Sequence, residues 1–465
     1  MKKKKYKIAF TGVFDLANYG DHLFPLIFRK NMEKEGEIFE IYLFSPFEGV
    51  QAFDETIRVY SLFDLEKMHE EVMFDAIIVG GGETIHLHSF EHKYKNQYIE
   101  YPIYNCWVIP AIVAQKYNVL LAWNNPGVPF HFSGMYKRMV KNLMKTVDYI
   151  SVRNQFSVEA LMEVGVDRDE INLCPDTAFL LPEIYEIKEL KITSEKLLNG
   201  IAKKYIVFQC NKLIDEESLN KVVEILLKLK NEGYEIVLLP LAYTNEDDVF
   251  ENEINEKNGN QFYGFNRKLS LEEIISVLAC CEMYIGVSFH GAITAYSFGK
   301  KVVGFDFFFN KKTKDLFDIM GIPELYVTDA LKLEETIEKA FDMEKDVSEY
   351  KSRIEKDLKK HFNNLKQIMV AEKKEQCIEE YRIISDIISD ISKECQKNEG
   401  ERNQLKLKDD TIKSLKEYMY IMQLEIEKKE KECAELTEER NYIRAILGEK
   451  KYNRILERAR RRTKI

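Results

Sequence analysis

His290 is one of only eight histidines among 465 residues, and it stands in Ser288-Phe289-His290-Gly291, just after Met283–Gly286, a run that reads as a β-strand. A histidine opening the helix after a strand can protonate or hydrogen-bond a leaving oxygen, or contact a phosphate at the helix end. A packed core histidine is the plain alternative. Arg153 follows a second strand-like run, Tyr149–Val152, where a guanidinium is a candidate clamp for a carboxylate or phosphate. Asp176, in Cys174-Pro175-Asp176-Thr177-Ala178-Phe179, is placed near the crossover between the two halves of the chain.

Three more loops follow predicted strands. Gly12, Asn18, Gly20 and Asp21 lie between a strand and a helix, where backbone N–H groups can approach an anion. Their spacing is not GxGxxG and Asp21 opposes a bare phosphate role, so a turn with a helix cap explains them equally. Gly80-Gly81-Gly82-Glu83-Thr84 concentrates three glycines, which carry an entropic cost and suit a tight bend or close approach of a ligand. Asn124-Asn125-Pro126-Gly127 offers amides for sugar hydroxyls, or simply a Pro-Gly turn. His86, His88 and His92 do not share one helical face, so no metal site is expected there. The chain has no GxSxG elbow, P-loop or HExxH.

The elements that must carry these loops alternate strand and helix, which predicts mostly parallel sheets covered on both faces. The pattern runs from Tyr6 to about 190, passes a less regular stretch around Leu181–Gly200, and restarts at Tyr205. The fold expected is α/β: two Rossmann-like domains facing a cleft (GT-B-like), at 1–190 and 200–367, followed by a long helical, coiled-coil tail at 368–465. All ten prolines lie at or before Pro323, and only Gly400 and Gly448 interrupt the glycine-free remainder. Ile412, Leu415, Met419, Met422 and Ile426 are spaced 3, 4, 3 and 4 apart, a heptad register that resumes at Cys433, Leu436, Ile443 and Leu447. The tail is expected to make a homo-oligomer. Its basic end, with Arg458, Arg460, Arg461 and Arg462, is expected to touch an anionic membrane surface or an acidic partner.

The net charge of −10 opposes broad nucleic-acid binding. Eight scattered cysteines without CxxC spacing support neither a zinc ribbon nor a dithiol centre. Met1–Lys5 is basic but no apolar stretch follows, so no signal peptide is expected, and no run of uncharged apolar residues is long enough to span a bilayer. The expected location is cytoplasmic, at the inner face of the membrane if the basic end docks there.

Together the loops resemble the polysaccharide pyruvyl transferase family over about residues 6–330. The resemblance is carried by Asn18-Tyr19-Gly20-Asp21, Val79-Gly80-Gly81-Gly82-Glu83, Ser151-Val152-Arg153-Asn154-Gln155-Phe156-Ser157, Cys174-Pro175-Asp176-Thr177-Ala178-Phe179 and Ser288-Phe289-His290-Gly291-Ala292. It implies transfer of an enolpyruvyl-derived group from phosphoenolpyruvate, as donor substrate and not cofactor, to a hydroxyl of a sugar or glycan-precursor acceptor. His290 takes the acid or phosphate-binding role and Arg153 the clamp. Gly12, Asn18, Asp21, Gly81, Gly82, Glu83, Asn124, Asn125, Asp176, Ser288 and Gly291 are the expected substrate-binding residues. Many members carry an arginine two residues before the histidine. Here Ser288 stands there, and Lys311, Lys312 and Arg267 are the replacements at hand. The competing readings are a GT-B-type glycosyltransferase using a nucleotide sugar, and a non-catalytic assembly protein on a degenerate transferase fold.

Overall fold

A computed structural model describes residues 5–370, apart from positions 34–36, 50–51, 95–96, 133, 200, 202–203, 308–310 and 345. The heptads and the basic end lie outside the described residues.

In chain order the strands are β1 (Lys5–Thr11), β2 (Ile38–Ser45), β3 (Val59–Ser61), β4 (Ala76–Val79), the hairpin β5 (Phe90–Tyr94) and β6 (Gln97–Tyr101), β7 (Leu120–Trp123), β8 (Ile150–Val152), β9 (Ile171–Leu173), β10 (Tyr205–Gln209), β11 (Glu235–Leu238), β12 (Met283–Gly286), β13 (Lys301–Phe305) and β14 (Tyr326–Val327). One parallel sheet has the order β3-β2-β1-β4-β7, and a single bridge from Ala122 to Tyr149 leads on to the parallel pair β8–β9. The other parallel sheet has the order β11-β10-β12-β13-β14. Ala-Ile-Ile-Val in β4 and Met-Tyr-Ile-Gly in β12 are buried at every residue, the pattern of strands covered on both faces.

Each sheet grows first to one side and then to the other, so strand order reverses between β1 and β4 and again between β10 and β12. The connections leaving the carboxyl ends of such neighbours part company, and the crevice between them is where open α/β sheets bind ligands.

The helices are α1 (Tyr19–Met32), α2 (Leu65–Val72), α3 (Asn105–Tyr117), α4 (Gly134–Met144), α5 (Gln155–Glu163), α6 (Ile187–Leu197), α7 (Glu216–Asn231), α8 (Asp247–Lys257), α9 (Leu271–Cys280), α10 (Phe289–Ser297), α11 (Lys311–Ile319), α12 (Leu333–Asp342) and α13 (Ser348–Val370). Local caps start several of them where the sequence indicates. Ser270 and Glu273 form a capping box on α9, and Ser288 Oγ accepts from Gly291 N on α10. The stretch read as irregular around Leu181–Gly200 contains α6, which packs on α9. Its helical period is blurred because Ile192 points to solvent at 67% exposure. Sequence reading also passes over α3, which is buried on nearly all sides and contains Pro110, so it shows no polar stripe.

Short polar contacts hold the two sheets' halves together. Tyr19 N donates to Leu241 O at 2.9 Å, Asn18 bridges to Ala242, and Tyr19 Oη meets Thr294 Oγ1 at 2.8 Å. Glu55 accepts from Leu271 N at 3.1 Å and Glu272 N at 2.9 Å, placing a carboxylate on the positive end of α9. The last described helix, α13, crosses back to the first half. Its buried His361 lies 3.0 Å from Tyr149 Oη through Nδ1 and 3.0 Å from Asn124 Oδ1 through Nε2. The neutral tautomer with hydrogen on Nε2 satisfies both neighbours, and burial pushes this imidazole down to about 3.

His361→Ala should destabilise the protein by about 2–4 kcal/mol, through two lost hydrogen bonds and a buried void. The folded state resists protonating His361 whereas the unfolded chain does not. Its contribution is therefore present above about pH 6.5 and is lost progressively towards pH 3. Denaturation measured across pH should show a shallower acid slope in the variant.

Candidate active site

A cavity of about 530 Å³ opens where the two reversal points face each other. The loop after β1 contributes Val13, Leu16 and Asn18, the first turn of α1 contributes Asp21, and the loop after β4 contributes Gly82, Glu83 and Thr84. Gln209 and Asn211 enter from the end of β10, and Val287 to His290 from the end of β12.

A buried charge cluster occupies one part of the lining. Arg153, only 4% exposed, sends Nη1 to Asp176 Oδ2 at 3.0 Å, and its Nη2 lies 3.9 Å from Glu83 Oε1. Its guanidinium lies over the Phe289 ring at 4.7 Å, and Nε has no hydrogen-bond partner among the described residues. The other oxygen of Glu83 meets Lys312 Nζ at 2.5 Å. One carboxylate therefore spans two cations, one from each half of the molecule. His290 Nε2 lies 3.5 Å from Asp176 Oδ2 without hydrogen-bond geometry. The imidazole is instead held by packing: edge-on to Phe24 at 5.5 Å, and against Gly20, where an added Cβ would fall 2.0 Å from Nδ1.

The three carboxylates differ through their surroundings. Burial alone would raise Asp176, but His290 and Arg153 outweigh it and hold Asp176 at about 2. Burial likewise opposes ionisation of Glu83, and Lys312 and Arg153 bring it below the usual range. Asp21 has no close ion pair among the described residues, and burial lifts it to about 6 despite the pull of His290, Arg153 and Lys312. Of these three, two are firmly ionised and one exchanges a proton near neutrality.

Of the expected residues, the structure brings Asn18, Asp21, Gly82, Glu83, Arg153, Ser288 and His290 to the cavity, with Asp176 buried behind Arg153 and His290. Gly82 adopts φ +85° beside Asp21, a conformation that favours glycine. Gly12, Gly81 and Gly291 shape the turns from behind, packed on Phe14, Phe24 and Tyr284 respectively. Asn124 and Asn125 do not line the cavity. Both are fully buried: Asn124 meets His361, and Asn125 Nδ2 donates to Pro175 O at 2.7 Å. Their amides brace the first half because they leave β7 beside β8 and α13, away from either reversal point.

Among the arginine's expected replacements, Lys312 reaches the site. Arg267 is taken up by Glu273 at 2.8 and 2.5 Å on an exposed surface, and the Lys311 side chain lies outside the described residues. Ser288 itself acts as the α10 cap. Sequence reading missed Gln209, Asn211, Thr244, Asn245 and Asp247, all of which line the cavity. Their signal was available: Gln209 ends a strand of the second sheet and the others follow one, and Pro240 marks the end of one of these strands.

Residues 18–307 match the family described as polysaccharide pyruvyl transferase. The chain belongs to this family. No curated protein matches it. Among solved structures it is similar to UDP-GlcNAc 2-epimerase from Methanocaldococcus jannaschii, at 12% identity over 74% of this chain and 94% of that one, with a TM-score of 0.50. It is also similar to UDP-GlcNAc 2-epimerase from Neisseria meningitidis bound to UDP-GlcNAc, at 10% identity over 78% and 100% of the two chains, with a TM-score of 0.48. The Methanocaldococcus likeness places this family member in the two-domain Rossmann-like, GT-B-like architecture.

Two opposite stability effects are expected. Asp176→Asn leaves Arg153 buried without its closest counter-charge and should cost about 3–5 kcal/mol at neutral pH. Asp21→Asn should stabilise by roughly 1–3 kcal/mol at pH 7.5. Asp21 holds its proton more tightly folded than unfolded, so the wild type loses stability as pH rises from about 4 to about 6. The gain from Asp21→Asn should therefore fade towards pH 4, as chemical denaturation at several pH values would show. Separately, Gly20→Ala should displace the His290 ring while lowering stability by only about 1–3 kcal/mol. The readout is a shifted histidine ring resonance, assigned by its absence in His290→Ala.

Proposed function

We propose that the protein is a glycan-modifying transferase that moves the enolpyruvyl-derived group of phosphoenolpyruvate onto a sugar. The observation that carries this reading is the convergence of Arg153, Lys312 and His290 at one cavity. Arg153 and Lys312 already share a carboxylate, that of Glu83. A donor bearing a carboxylate and a phosphate would compete for the place Glu83 holds, and Arg153 Nε supplies a further unused donor.

In this reading one sugar hydroxyl attacks the enol carbon while the methylene takes a proton, and the carbon–phosphate-oxygen bond breaks to release inorganic phosphate. A second hydroxyl closes the ketal. Of the two hydroxyl protons, one is balanced by the new methyl hydrogen and the other leaves with phosphate. In this reading His290, 3.5 Å from Asp176, hands a proton to the bridging oxygen. Asp21, which exchanges its proton near neutral pH, is the nearby group suited to relay a proton. Arg153 and Lys312 hold the anionic groups in place.

A second reading, chemistry on a nucleotide sugar, is favoured by the likeness to UDP-GlcNAc 2-epimerase in fold and by the amides and hydroxyls lining the cavity.

A donor panel separates the two. Purified protein is titrated calorimetrically with phosphoenolpyruvate, UDP-GlcNAc and UDP-glucose, and transfer is followed as released phosphate. Phosphoenolpyruvate binding that is weakened in Arg153→Met is expected, with transfer lowered about 10²–10⁴-fold in His290→Ala. Binding of a nucleotide sugar with none of phosphoenolpyruvate would overturn the first reading in favour of the second.

A further inference from the structure

Asp247 opens α8 just beyond the end of β11 and is 1% exposed. Its Oδ2 accepts two hydrogen bonds, from Gln209 Nε2 at 3.1 Å and from Ala242 N at 3.0 Å. These fix the carboxylate's orientation. Its Oδ1 is buried and has no partner among the described residues, although Asp247 lines the cavity. No described cation forms an ion pair with it.

A buried carboxylate oxygen without a donor costs free energy, and a ligand that donates to it recovers that cost. The ligand's charge is constrained. Glu251, one turn further along α8, is also buried with both oxygens unpartnered, and burial, reinforced by Asp247, raises it well above the usual carboxylate range. Burial lifts Asp247 too, to about 6, so above that pH its carboxylate brings negative charge to this wall. That charge repels phosphate and carboxylate groups and attracts a hydroxyl donor. Asn211, Thr244 and Asn245 add neutral hydrogen-bonding groups on the same loops. Leu213 and Leu241 add apolar surface of the kind a sugar ring's C–H face covers.

We propose that Asp247 Oδ1 anchors a hydroxyl of a neutral sugar, making the second half's wall of the cleft the acceptor seat, apart from the Arg153–Lys312 anion seat. This assignment rests on the transferase reading for the word acceptor, but the binding of a neutral polyol at Asp247 stands independently of which donor is used. It also gives Gln209 a positioning role. Its amide nitrogen holds Asp247 while its oxygen accepts from Ser288 N at 3.0 Å, two residues before His290. The seat and the histidine loop therefore share one side chain.

The test uses the full chain and saturation-transfer difference NMR with methyl β-D-glucoside, methyl β-D-galactoside and methyl N-acetyl-β-D-glucosaminide, with tetrahydropyran as a hydroxyl-free control. Calorimetric binding of phosphoenolpyruvate is measured on the same samples. Asp247→Asn keeps an acceptor for Ala242 N and Gln209 Nε2 and turns the free atom into a donor. It should weaken the best glycoside about 10- to 100-fold, the range of a hydrogen bond to a charged group, and leave phosphoenolpyruvate affinity within about twofold. Should that variant melt without cooperativity, Asn245→Ala at the cavity edge should weaken the same glycoside with the fold intact. Unchanged glycoside binding in a folded Asp247→Asn, or no glycoside signal above the tetrahydropyran control in the wild type, overturns the proposal. Glycoside binding that depends on Asp247 in a protein that does not bind phosphoenolpyruvate upholds the seat and removes the donor reading instead.

Discussion

The Arg153–Asp176 ion pair is the interaction on which the rest of the site depends. Two charges taken out of water are tolerable only with close geometry and further hydrogen bonds. Here Asp176 also accepts from Ala178 N at 3.0 Å and faces His290, and Arg153 stacks on Phe289. Asp176 and Arg153 come from the first half, His290 and Phe289 from the second. The same pair therefore connects the two halves at the cleft. Removing either charge would leave the other stranded, which is why the cluster acts as a unit.

Around that pair, the cleft is divided by charge. Arg153 and Lys312 converge on Glu83, while Asp247 lies on separate loops with no described cation paired to it. The division follows from topology. Each sheet reverses its strand order once, and the loops at both reversal points open into one cavity. The backbone contacts of Asn18 and Tyr19 with Leu241 and Ala242 hold the reversal points face to face.

Much of this was legible in the amino-acid order. Parallel strands buried on both faces leave continuous apolar runs, and β10, β12 and β13 fall where those runs predict. Short caps such as Ser270 are local chemistry and can be read locally. His290, Arg153 and Asp176 were readable because motifs at strand ends concentrate rare residue types. Elements without a periodic signature were not readable: α3 is buried nearly all round, and α6 exposes Ile192. Asn124 and Asn125 misled because a loop at a strand end looks the same whether or not its strand adjoins a reversal point.

The sequence by itself determined the α/β alternation, the family's ordered motifs and the identity of the charged groups, because these depend on spacing along the chain. Only the tertiary structure decided which loops face each other. It sent Lys312 rather than Arg267 to the site, turned Ser288 into a helix cap, and returned α13 to the first half through His361. It also exposed the unpartnered oxygen of Asp247. Residues from separate strand ends meet there, and whether a buried polar atom finds a partner is a property of that meeting, not of any local stretch of chain.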